Sequence, residues 1–68
     1  MSDWKSIYKN ESLIRVEIVK GILEEQGIAS VIVNKKESVY QILGYYELMV
    51  AAGDAFDAQN IISKEIEL

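Results

Sequence analysis

The chain contains neither cysteine nor histidine. The first absence excludes disulfides and thiolate metal sites. The second removes the side chain that most often shuttles protons near neutral pH, along with the commonest nitrogen ligand for zinc. The opening residues, Met1-Ser2-Asp3-Trp4-Lys5, have no basic, apolar leader. No fully apolar run approaches the roughly 20 residues that a membrane helix needs. A cytoplasmic location is therefore expected, and the sequon-like Asn10-Glu11-Ser12 is read as chance. A basic stripe is missing as well. Lys5, Lys9, Arg15, Lys20, Lys35, Lys36 and Lys64 are scattered, and eleven acidic residues outweigh these seven to leave a net charge of −4. Such a chain suits neither a phosphate backbone nor a membrane, so neither partner is expected.

Catalytic equipment is scarce too. The available bases are carboxylates and the available nucleophiles are hydroxyls, with no tuned neighbour for either. Glu24 and Glu25 are adjacent and point apart on a helix, while Asp54 and Asp57 are accounted for by a helix start. There is no glycine-rich phosphate cradle, and no loop has the ligand spacing of a calcium or magnesium site. The expectation is no enzyme and no cofactor.

What is present is a pattern of short elements in a chain of 68 residues, enough for one domain over 1–68. A chain this short buries only about 60% of its unfolded surface, so the monomer should be marginal and open to help from a partner. Residues 4–9 predict a strand, with Trp4, Ser6 and Tyr8 on one face and Lys5, Ile7 and Lys9 on the other. Ile7 argues for burying one face, Trp4 and Tyr8 for the other. Asn10 or Ser12 can cap a helix over 13–26, which Gly27 ends. The helix's apolar residues, among them Ile14, Val16, Ile18, Val19, Ile22 and Leu23, spread over about 200°, wider than one sheet contact uses. Lys20 can pair with Glu17 or Glu24. Gly21, inside this helix, either permits a close backbone approach or has no packing role. A second strand follows over 28–33.

The connection over 34–44 is unusually apolar, with Val39, Tyr40, Ile42 and Leu43. A third strand spans 45–51, and a second helix, capped by Asp54, runs from about 55 to 63 or beyond. Ala55, Ala58, Ile61 and Ile62 form its stripe, while Phe56 points elsewhere. The tail, 64–68, is either a last helical turn or a short terminal strand. The order implies an α+β, ferredoxin-like two-layer sandwich, β-α-β-β-α with an optional short fourth strand. Both helices would cover one face, and strand three would lie between strands one and two.

The run from Leu13 to Ala29, preceded by Ile7-Tyr8 and followed by Asn34, resembles the opening of the DUF2007 family, also called the putative prokaryotic signal-transducing proteins. Residues 46–50 and the helix over 55–62 resemble its closing half. The resemblance covers nearly the whole chain, and the first-helix segment is its most specific part. It implies a bacterial ferredoxin-like or nitrogen-regulator-like domain and very little chemistry. Two departures stand out. Arg15 replaces an acidic or small residue, and Ala51-Ala52-Gly53 replaces a usual Pro-Glu-Glu, which removes a rigid corner before Asp54.

The aromatic residues are the better functional lead. Trp4, Tyr8, Tyr40, Tyr45, Tyr46 and Phe56 exceed what a core this small can enclose, so they are candidate interface residues. With two helices on one face, the other face is left apolar and in need of cover. Three roles are in view. A regulatory module that binds another protein or associates with itself leads. A small-ligand sensor using Asn34, Lys35, Lys36 and Tyr40 is the alternative. A structural appendage of a larger assembly is the third.

Overall fold

In a computed structural model that describes residues 3–35 and 44–65, the chain forms three strands and two α-helices. They run β1 (Trp4–Asn10), α1 (Leu13–Glu25), β2 (Ser30–Asn34), β3 (Tyr46–Ala51) and α2 (Ala55–Glu65), with a 3-10 turn, Ala52–Asp54, leading into α2. The sheet order is β1-β3-β2, antiparallel throughout. This is the α+β order that the sequence implies, with β3 in the centre.

Each turn into and out of α1 follows from specific side chains. Asn10 Oδ1 accepts from the Ser12 amide at 2.8 Å, and Ser12 Oγ accepts from the Arg15 amide at 3.3 Å. Asn10 thus shapes the turn and Ser12 caps the helix, so both candidates are used. At the other end Gly27 takes φ 87°. Its amide donates to the Glu24 carbonyl, and the Ile28 amide donates to the Leu23 carbonyl at 2.9 Å. That pair of bonds is a Schellman closure, with Leu23 and Ile28 both buried beside it. It also corrects the start of β2. Because the Ile28 amide is used by the helix end, the ladder begins at Ser30 rather than at 28.

The first strand departs from simple alternation. Its pairing with β3 shifts register between Ser6 and Tyr8. The extra residue, Ile7, is buried in the core, and Tyr8 packs against that core from the same side. Trp4 and Ser6 pair with Ala51 and Met49, on the opposite face from the buried Leu48 and Val50. A bulge therefore lets Ile7 and Tyr8 share a face, which strict alternation forbids, and separates Trp4 from Tyr8.

Val16, Val19 and Leu23 of α1 and Ala58 of α2 meet Ile7, Ile28, Leu48 and Val50 in one core. Helix α1 packs on all three strands and α2 on β1 and β3, so both helices lie on one face. The wide apolar arc of α1 divides accordingly: Ile14 and Ile18 stay exposed. Lys20 pairs with Glu24. Among the described residues a Cβ at Gly21 would meet open space, so no close approach there explains it. The stripe Ala55, Ala58, Ile61 and Ile62 packs inward, and Phe56 is exposed.

Helical backbone already starts at Ala52, so Asp54 lies within the first turn instead of capping it. Lys64 and Glu65 belong to α2. Whether a fourth strand follows concerns residues 66–68, and how the apolar connection runs concerns 36–43; both lie outside the described residues.

Candidate functional site

Antiparallel register assigns every strand residue to a face. Leu48 and Val50 face the helices, so their odd-numbered neighbours Glu47, Met49 and Ala51 face away from them. The cross-strand partners of those three are Trp4, Ser6 and Lys9 from β1 and Val31 and Val33 from β2. The result is a sheet face, uncovered by either helix, with Trp4 45% and Val31 44% exposed and Val33, Met49 and Ala51 half-buried between them. β-Branched and aromatic residues suit strands. Here they occupy positions where solvation would favour polar groups, and the helices cannot reach them.

The far end of this face is charged. Glu47 is buried, and its carboxylate lies 3.7 Å from Lys9 Nζ and 4.0 Å from Lys35 Nζ. Lys9 Nζ also lies 5.7 Å from the centroid of the Tyr45 ring, within cation–π range. The backbone clamps this end, because the Lys35 amide donates to the Tyr45 carbonyl at 3.0 Å. The open face is thus apolar at the Trp4 end and closed by a compact cluster of two cations around one anion at the other.

Among the described residues, those predicted from sequence lie on more than one surface. Trp4 stands on the open face, and Tyr45 borders its charged end. Tyr8 and Tyr46 lie on the helix side, packed against the core, with the Tyr8 hydroxyl accepting from Asn10 Nδ2 at 3.4 Å. Phe56 is 76% exposed on α2. Of the ligand candidates, Asn34 is exposed at the end of β2, and Lys35 is turned to Glu47. Lys36 and Tyr40 lie outside the described residues. A shallow groove is found elsewhere, lined by Tyr8, Arg15, Ile18 and Val19 between β1 and α1.

Lys9, Val31, Val33, Glu47, Met49 and Ala51 are the members that the candidate residues missed. The signal for Glu47 was available: a carboxylate in the middle of an apolar strand must find cations on its neighbours. Locating those cations required the strand order.

Among the described residues no cluster of acidic side chains could hold a metal ion, and no helix is long and apolar enough to cross a membrane. The family model DUF2007, described as "Putative prokaryotic signal transducing protein", matches residues 4–66. No curated protein and no solved structure matches the chain.

Proposed function

Because the chain belongs to the DUF2007 family, we propose that it is a non-enzymatic regulatory module of the cytoplasm that acts by binding another protein on the open face of its sheet. The supporting observation is the continuous apolar surface of Trp4, Val31, Val33, Met49 and Ala51, bordered by Lys9, Glu47 and Lys35. Protein interfaces have this composition, with aromatic and methionine side chains in the dry centre and charges at the rim.

The two ends do different work. The apolar end supplies affinity, since a docking partner releases water from surface that the helices leave wet. The charged end supplies orientation. Lys9 and Lys35 share the single carboxylate of Glu47, so this end keeps a net positive charge and favours a partner that places an acidic group there. A ligand sensor beside residues 34–45 has less support, because Lys35 is already turned to Glu47.

A photo-crosslinking residue placed at Trp4 or Val31 in the native cell is expected to trap one protein that the same residue at Asp57, on exposed α2 surface, does not. With that protein purified, Trp4→Ala and Met49→Lys should each weaken Kd by about 30-fold or more, the effect typical of a central anchor. Melting temperature should change little for Trp4→Ala. Equal crosslinking from Asp57, or an unchanged Kd in both variants, would remove the open face from consideration.

A further inference from the structure

We propose that two copies of this chain join edge to edge through β2, antiparallel about a two-fold axis at Ile32, so that two three-stranded sheets become one six-stranded sheet. Among the described residues β2 pairs with β3 alone, which makes β2 and β1 the two edges of the sheet. The edges are unequal. β1 has a register shift and carries Lys5 and Lys9, both devices that discourage further pairing. β2, Ser30-Val31-Ile32-Val33-Asn34, has an unbroken register with β3 and contains no charge and no proline.

The register says which groups β2 offers. The Lys35 amide donates to the Tyr45 carbonyl, so 35 and 45 form a hydrogen-bonded pair. Alternation makes Val31–Met49 and Val33–Glu47 hydrogen-bonded pairs too, leaving the amide and carbonyl of Ile32 directed away from β3. Two Ile32 residues facing each other across a two-fold axis would exchange both bonds.

A second copy is the occupant that this strand fits, because its order of residue types reads nearly the same in both directions: polar, Val, Ile, Val, polar. Antiparallel self-pairing at Ile32 sets Val31 against Val33 of the other copy on the open face. Ile32 meets Ile32 on the helix face, where each is half-buried beside its own core. Ser30 falls opposite Asn34, and Lys35 opposite Ala29, so no like charges meet. A closed two-fold contact follows, with no open chain of copies. The pairing uses a different surface from the partner-binding face and extends that face across both copies.

Amide hydrogen exchange of the intact chain, followed from micromolar to millimolar concentration beside sedimentation mass, tests this. The mass should rise from 7.7 kDa toward twice that value. Over the same range exchange at Ile32 should slow by about tenfold or more, while Val31 and Val33 stay protected throughout. Ile32→Pro removes an amide that β3 does not use, together with the half-buried Ile32 side chain, and should hold the mass at the monomer value. A monomeric mass at millimolar concentration overturns the proposal. So does an Ile32 amide already protected in the monomer, or a dimer in which Ile32 exchanges freely. If the proline variant does not fold, the exchange pattern of the unaltered chain decides alone. Failure of this test leaves the open-face reading standing, since partner capture is read at Trp4 and Met49.

Discussion

Ser30 and Glu47 are both taken out of water, and they are provided for very differently. Glu47 has two ammonium groups within 4.0 Å. The buried Ser30 Oγ has no hydrogen-bond partner among the described residues. A buried hydroxyl without a partner loses its hydration and gains nothing in return. Ser30→Ala is therefore expected to leave stability unchanged or raise it by up to about 1 kcal/mol in urea unfolding. Gly21 offers a similar gain by another route. It lies in the middle of α1 with open space around it, so Gly21→Ala should add about 1 kcal/mol through helix propensity and a less flexible unfolded chain. A clear loss of stability at either position would mean that the residue has a contact the fold does not account for. Glycine in a helix is visible in sequence. An orphaned hydroxyl is not, because burial depends on what packs across from it.

At the scale of elements, α1 is a helix with apolar residues on more sides than it can bury. Val16, Val19 and Leu23 are enclosed, whereas Ile14 is 70% and Ile18 56% exposed. Leu23→Ala should then cost about 2–5 kcal/mol, the penalty of a cavity in a packed core. Ile14→Ala should stay within about 0.5 kcal/mol of the parent, as exposed substitutions do. Equal costs at the two positions would mean that α1 is rotated from its described orientation. The corner between β3 and α2 offers a second measurement. Ala51 has φ −60°, ψ 146°, so its backbone already holds the angle that proline imposes. Ala51→Pro is expected to raise stability by about 0.4–1 kcal/mol, read as a higher urea midpoint. A lower midpoint would show that the Ala51 amide is needed by a neighbour. The helix stripes and both helix ends were legible because their period and capping chemistry are local. The bulge at Ile7 was not: nothing in residues 4–9 says where the partner strand must slip.

The described residues form two layers, and one face of the sheet is covered by neither helix. Both helices pack on the Leu48–Val50 side, and neither covers the apolar residues of the other side. The net charge of −4 acts on any pairing of copies through mutual repulsion. Self-association through the uncharged β2 should therefore strengthen as salt is added and the Debye length falls below about 10 Å. Sedimentation equilibrium at low and high ionic strength checks this, and association that weakens with salt would point to complementary charges at the contact instead.

Composition and periodicity alone determined the order of elements, the inward stripes of both helices, the Gly27 stop and the absence of histidine and cysteine chemistry. Each of these is written within a few neighbouring residues. Tertiary structure alone decided that Tyr8 turns to the core while Trp4 turns away, and that Lys9, Glu47 and Lys35 meet. It also decided that, among the described residues, β2 is left as the uncharged edge. Those facts depend on which strands lie side by side and in what register, and register is set by contacts between residues 12 to 47 positions apart.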